Sequence, residues 1–375
     1  MHMNGKPVAG GLEGVVVAET QLSHVDGDAG RLVIAGGDVE ELAGRVRFEE
    51  VCFRLWKPHL PDLSPDEVGP ALAAGRAWAY QQLRTADSAL RLGDGMEALR
   101  AALALVPAAG GILELNARLT GAAATFAAAW ARLQRGAAPL PPAPSASHAA
   151  DLLGMATGEQ DAAKAAALET YLVTVSDHGM NASTFTARVI ASTGSDAVSA
   201  AVGAIGALKG PLHGGAPGPV LDMLDGIGSP ERAEAWLEQE LLAGRRIMGM
   251  GHRIYRVRDP RAAVLERAVE ALERAGVSTP RLGLARAVEK AAETALRARH
   301  PERPLRANVE FYTAVLLDSI GMPRTLFSPL FACGRMAGWL GHIAEQRATG
   351  RLIRPDSRYV GALPGAEPGL AAASH

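Results

Sequence analysis

Apolar residues recur at helical spacing along most of this chain. Leu168, Tyr171, Leu172 and Val175 share one helical face, and so do Val264, Leu265, Ala268, Val269 and Leu272. This is the i, i+3, i+4, i+7 recurrence of an amphipathic α-helix. From Val39 onward the pattern reads as helix after helix, rich in Ala, Leu, Glu and Arg. The stretch from Ser229-Pro230-Glu231 to Gly244 carries its own start and stop signals: an N-cap serine, a proline at the first helical position, an acidic first turn and a closing glycine. The β-leaning part is confined to Gly11–Gly44. There Val15-Val16-Val17 and Arg31-Leu32-Val33-Ile34 are separated by Asp26-Gly27-Asp28, which predicts a hairpin. Pro139, Pro141, Pro142 and Pro144 mark a loop between helices. Strand and helix do not alternate, which speaks against a doubly wound sheet. The expected class is all-α with a small N-terminal β-hairpin.

Composition narrows the field without naming a function. A chain of 375 residues has room for two domains or one large one. Its net charge of −2 argues against a nucleic-acid partner held by bulk electrostatics. Two cysteines, Cys52 and Cys333, are neither a disulfide framework nor a metal knuckle and fit a reducing cytoplasm. No apolar run reaches the length of a membrane span, so no membrane partner is expected.

Chemistry concentrates in the stretch Ile247 to Arg261, which holds two glycines of a Gly-x-Gly-His sequence, Gly249 and Gly251, then His252 and four arginines. Asp259-Pro260 reads as N-cap and first helical residue, which places Arg261 in the first turn. His252, Arg256 and Arg261, with free backbone N–H groups between them, would suit an anionic ligand. Taken alone, the stretch reads better as a Gly-rich loop with a solvated basic run; its company is what changes that. It is neither a dinucleotide fingerprint nor a phosphate loop.

Four further stretches carry a similar mixture. Ser176-Asp177-His178-Gly179-Met180-Asn181-Ala182-Ser183-Thr184 follows a periodic helix and either binds a ligand, caps the next helix through Asn181 or Ser183, or does both. Gly210-Pro211-Leu212-His213-Gly214-Gly215-Ala216-Pro217-Gly218 presents His213 on a turn. In Asn308-Val309-Glu310-Phe311-Tyr312, Glu310 falls at the start of an apolar helix closing at Gly321, where the helix dipole alone could favour it. Arg335 interrupts an apolar helix of small residues and requires an anionic partner from protein or ligand; Arg354-Pro355 follows. No metal-ligand spacing such as H-E-x-x-H and no nucleophile elbow occurs. Arginines fork onto carboxylates, while histidines and a carboxylate move protons and polarise carbonyls. Proton abstraction beside a carbonyl, on a polycarboxylate substrate, uses all of these parts.

These five stretches, in this order and at this approximate spacing, resemble the citrate synthase family, and Gly11-Leu12-Glu13-Gly14-Val15 and Asp26 to Leu32 are similar to its N-terminal part. The length resembles that of its shorter, dimeric bacterial and archaeal form. The resemblance implies an almost all-α fold with a large domain from residues 1–214 and 321–375, a small domain from 215–320, and an active site in the cleft between them. It implies condensation of acetyl-CoA with oxaloacetate and water, through an enol and citryl-CoA, to citrate and CoA. On this basis His213 and Glu310 enolise the thioester, and His252 polarises the oxaloacetate carbonyl. His178, Arg261 and Arg335 bind oxaloacetate, and Arg354 reaches it from the partner subunit of a homodimer. Gly249, Gly251 and Arg256 contact coenzyme A. No permanently bound cofactor and no metal are implied, and acetyl-CoA is a co-substrate. Arg303-Pro304-Leu305-Arg306-Ala307, Ala35-Gly36-Gly37, the Lys57-Pro58 region and Pro217-Gly218 depart from the family's more frequent residues, but none removes a catalytic group. The alternatives are 2-methylcitrate synthase using propionyl-CoA, a citryl-CoA cleaving enzyme, and a non-catalytic paralogue that binds acyl-CoA or a carboxylate. The last has no need of the proton-transfer groups His213, His252 and Glu310.

Overall fold

A computed structural model describes residues 10–12, 14–213, 218–302, 305–361 and 364. Gly214-Gly215-Ala216-Pro217 and Arg303-Pro304 lie outside the described residues. The all-α expectation holds: helices follow one another from Val39–Leu42 to Phe327–Thr349, and the strands are confined to the N-terminal region.

The hairpin forms, but with a different first strand. Strands β1 (Ser23–Asp26), β2 (Arg31–Ile34) and β3 (Gly37–Asp38) make an antiparallel sheet in the order β1-β2-β3. Ser23 pairs with Ile34 and Asp26 with Arg31. Asp26 builds the turn, its carboxylate accepting the N–H groups of Asp28 (3.1 Å) and Ala29 (2.9 Å). Val15-Val16-Val17 is not a strand. Val16 is 86% exposed, because β-branched residues favour a strand only where a partner and a face to bury are available, and Ser23–Asp26 is the segment the turn brings back onto β2.

Two long helices form the spine. Ile112–Leu133 is buried from Leu115 to Ala131 apart from Arg118 and packs most closely on Pro65–Gln81. The crossing is tight because Gly75 and Gly121 face backbone: a Cβ on Gly75 would overlap the Ala117 carbonyl, and one on Gly121 the Arg76 nitrogen. Phe327–Thr349 packs against Ile112–Leu133, Ala182–Ser192, Phe48–Trp56 and Ala162–Val175. Its small residues have a purpose, since the Gly338 N–H donates to Ser176 O at 3.1 Å and a Cβ there would overlap the same carbonyl. The junction carrying His178 is thereby seated directly on the helix carrying Arg335.

A second group of helices comprises Gly218–Ile227, Ala233–Leu242, Pro260–Arg274, Leu282–Arg299 and Val309–Ser319. Pro260–Arg274 packs on Val309–Ser319 within the group and on Ala162–Val175 outside it. The segment expected as one helix from Ser229 starts with a 3-10 turn, Pro230–Arg232, before Ala233–Leu242, and Gly244 follows at φ +71°. The predicted cap at Asp259 is present, accepting Arg261 N–H, and Asn308 caps the helix bearing Glu310 by accepting Glu310 N–H.

Candidate active site

The junction between Ala162–Val175 and Ala182–Ser192 brings His178 inside the protein. Asn181 caps the second helix, its Oδ1 accepting Ser183 N–H and Thr184 N–H at 3.1 Å each. His178 is buried, and its Nε2 lies 3.1 Å from the Tyr255 hydroxyl. The His252 ring meets His178 edge-on at 5.6 Å and Tyr255 at 4.7 Å. His178 and His252, 74 positions apart in sequence, are thus neighbours.

Hydrogen bonding fixes the tautomers of the two outer histidines. His252 Nδ1 faces the N–H groups of Ile254 (3.0 Å) and Tyr255 (3.2 Å), which can only donate, so its proton is on Nε2. That Nε2–H lies 3.4 Å from Arg261 Nη2, another donor. Two donors side by side call for a shared acceptor oxygen. Burial and then the Arg261 charge push His252 down to about 4, against the opposing charge of Asp259. His213 Nε2 faces Ser183 N–H (3.2 Å) and Ser183 Oγ (2.8 Å), which leaves its proton on Nδ1. Burial, then Arg335, lowers it to about 4. His178 is driven well below its ordinary value by burial, then by Arg261, Arg335 and His252. At neutral pH all three imidazoles are uncharged.

Arg261 is held by Asp259, whose carboxylate accepts from Nε (3.0 Å) and Nη2 (2.8 Å) and also from Val309 N–H (3.2 Å). One acid therefore caps one helix, fixes the arginine and ties in the start of the helix bearing Glu310. Burial raises Glu310 to about 7 against the pull of Arg261, with Asp259 adding to the rise. Arg335 donates from Nε to Val175 O at 2.6 Å and stacks on Phe331. Its Nη2 is buried without a hydrogen-bond partner among the described residues. Burial lowers it to about 10; Asp177 and Tyr171 oppose the fall and Arg261 adds to it. An unpaired buried guanidinium is costly unless an anion arrives to meet it.

Electrostatic influence links the set. Arg335 acts on the ionisation of His178 and His213, and Arg261 on that of Arg335, His178, His252 and Glu310. Arg354 stands apart, exposed on the irregular segment after Gly350. Arg256 is also exposed. The loop amides are not free as expected. Gly251 N–H donates to Arg306 O (2.7 Å) and Arg256 N–H to Gly27 O (2.9 Å), and Met250 bridges Ala307. Gly249 and Gly251 supply positive φ and close packing on Phe311 and Leu305.

The sequence pattern does not mark Tyr255 as a site residue and places Tyr171 on an apolar helix face. Tyr171 is core by burial, yet its hydroxyl is unpartnered and feels both Arg335 and Glu310. Among the described residues no cluster of His, Cys, Asp or Glu is arranged to hold a metal ion, and no helix is long and apolar enough to cross a membrane.

The family model described as "Citrate synthase, C-terminal domain" matches residues 11–356. The chain belongs to the citrate synthase family. A citrate synthase from Haloferax volcanii is 39% identical over 370 residues, covering 94% of this chain and 95% of its own. The citrate synthase structure from Thermotoga maritima superposes with a TM-score of 0.80 at 34% identity, covering 94% of this chain and 96% of its own. That from Thermoplasma acidophilum, a ternary complex with carboxymethyl coenzyme A and oxaloacetate, superposes at 0.85 with 27% identity over 98% of this chain and 100% of its own. The protein is an enzyme of the citrate synthase type, an acyltransferase, in a family that uses acetyl-CoA as a substrate.

Proposed function

We propose that the protein condenses acetyl-CoA with oxaloacetate in the cleft between a large domain (1–214 and 321–375) and a small domain (215–320). The carrying observation is Glu310, raised to about 7 by burial in the field of Arg261, within a cleft whose three imidazoles are neutral. A base needs a pKa near the working pH. The donors it needs for company are present as Nδ1–H on His213 and Nε2–H on His252.

Oxaloacetate carries two carboxylates and a ketone. Arg335, with its unpartnered Nη2, Arg261 and His178 receive the carboxylates, and the ketone oxygen takes the place between His252 Nε2–H and Arg261 Nη2. Glu310 removes a methyl proton from the thioester while His213 Nδ1–H donates to the developing enol oxygen, lowering the barrier to a weakly acidic C–H. The enol carbon bonds to the polarised ketone carbon, whose oxygen gains a proton from the His252 side. Water then cleaves the citryl thioester to citrate and CoA. Domain closure excludes water during the carbon–carbon step.

Arg256, exposed beside the loop, meets the coenzyme A phosphates, with Gly249 and Gly251 shaping the wall behind them. Arg354 completes the partner's site in a homodimer. The relatives are named citrate synthases, which favours acetyl-CoA over propionyl-CoA. The test is CoA thiol release with oxaloacetate and either thioester. Faster turnover per KM with acetyl-CoA is expected. No release, or a preference for propionyl-CoA, overturns the reading.

A further inference from the structure

The N-terminal sheet and the residue Gln21 ahead of it touch the segments that carry His178, Arg335 and His252. Ser23 Oγ accepts Gly179 N–H at 2.9 Å, one residue beyond His178. Gln21 N–H donates to Glu345 Oε1 at 2.9 Å, on the helix that carries Arg335. On the opposite side Gly27 O accepts Arg256 N–H at 2.9 Å, in the loop that carries His252. The loop and the turn interlock there. A Cβ on Gly27 would overlap the Ile254 carbonyl, and one on Gly30 the Val257 side chain.

We propose that this sheet is a positioning element for the keto-acid substrate: it straps the 252–257 loop to the 177–179 junction, and Gly27 sets how closely His252 approaches His178. The proposal rests on the function given above. The loop has no regular secondary structure, and His252 Nδ1 holds its Ile254 and Tyr255 amides. Its next amide is held by the sheet. The strap therefore acts through backbone rather than through a side chain of the reaction. The 5.6 Å separation of the two imidazoles belongs to this arrangement, and misplacement by ~1 Å costs an enzyme on the order of 10²-fold.

Gly27 allows a clean test. It is not among the positive-φ glycines, so alanine fits its backbone, and what it adds is a methyl group against the Ile254 carbonyl. Gly27→Ala should raise the oxaloacetate KM about tenfold or more and speed amide exchange at Arg256, while the acetyl-CoA KM changes far less; the overlap with the Ile254 carbonyl should also lower the melting temperature, as overpacking does. Ser23→Ala should shift the oxaloacetate KM in the same direction, and Ser23→Thr, which keeps the hydroxyl, should restore it. An unchanged oxaloacetate KM in folded Gly27→Ala overturns the proposal. So does an equal rise in both KM values, which marks a merely structural sheet. If Gly27→Ala does not fold, the serine pair decides, and equal behaviour of Ser23→Ala and Ser23→Thr is the negative result. A wild-type protein that does not turn over oxaloacetate refutes the function instead. Amide exchange at Arg256 in Gly27→Ala, which needs no substrate, then still reports whether the strap holds the loop.

Discussion

Glu310 and the three imidazoles respond to one environment in opposite directions. Burial penalises charge, so it raises the carboxyl and lowers the imidazoles. Near pH 7 this leaves a base poised to titrate among histidines that donate without being charged. Two consequences can be measured. The acid limb of kcat/KM for the thioester should have its midpoint at about 7: activity requires ionised Glu310, so it rises with pH through that value, and the histidines, all lowered from their ordinary value, add no inflection there. A limb near the ordinary carboxylate range would assign the base elsewhere. Glu310→Gln should lower kcat by about 10²–10⁴ and leave oxaloacetate affinity nearly unchanged, because it keeps the size of the residue and its proposed ligands are other groups. Close to wild-type condensation in that variant would reduce Glu310 to a carboxylate at a helix start. The residues of this site were legible where chemistry is unusual for its place: a histidine after Gly-x-Gly, an arginine in an apolar helix. Tyr255 and Ser183 were not. A tyrosine in a basic loop and a serine two residues past a cap have ordinary explanations, and their partners at 178 and 213 are set by tertiary packing.

Elements carry the site because their ends meet. Ala162–Val175 and Pro260–Arg274 pack together and deliver His178 from a C-terminus and Arg261 from an N-terminus. The cap of the second was readable, since Asp259-Pro260 satisfies first-turn amides by local rules. The first strand was not readable: Ser23-His24-Val25-Asp26 has little β-character, and its pairing comes from the turn and from burial against the helices. The spine crossing gives a prediction at this scale. Gly121→Ala places a methyl group against the backbone of Gly75 and Arg76, and such overpacking destabilises by about 1–3 kcal/mol. Gly111→Ala, with open space around its Cα, should change stability far less. The check is the denaturation midpoint of each variant, and equal midpoints would mean that the helices separate at no cost.

At the scale of the molecule, the proposed service of Arg354 to a partner's site makes a testable demand on how two chains assemble. Arg354 is exposed on the segment that leaves the Phe327–Thr349 helix, where Gly350 ends that helix at φ +70°. Ile353 N–H is held by Ser192 Oγ at 3.0 Å, so the segment is tethered to its own subunit just before the arginine. In a twofold dimer both copies present the same surface, and an arginine that serves the partner's site is served in return. Subunits carrying Arg354→Ala and Glu310→Ala should each be impaired as homodimers. In a mixed dimer one site combines the intact Glu310 of the first subunit with the intact Arg354 of the second, while the other site lacks both. Random reassortment of the two variants in equal amounts should then recover about a quarter of wild-type turnover, measured as thiol release after mixing is verified by mass. If Arg354 served its own chain, every site in the mixture would lack one of the two groups, and activity would stay at the level of the parents.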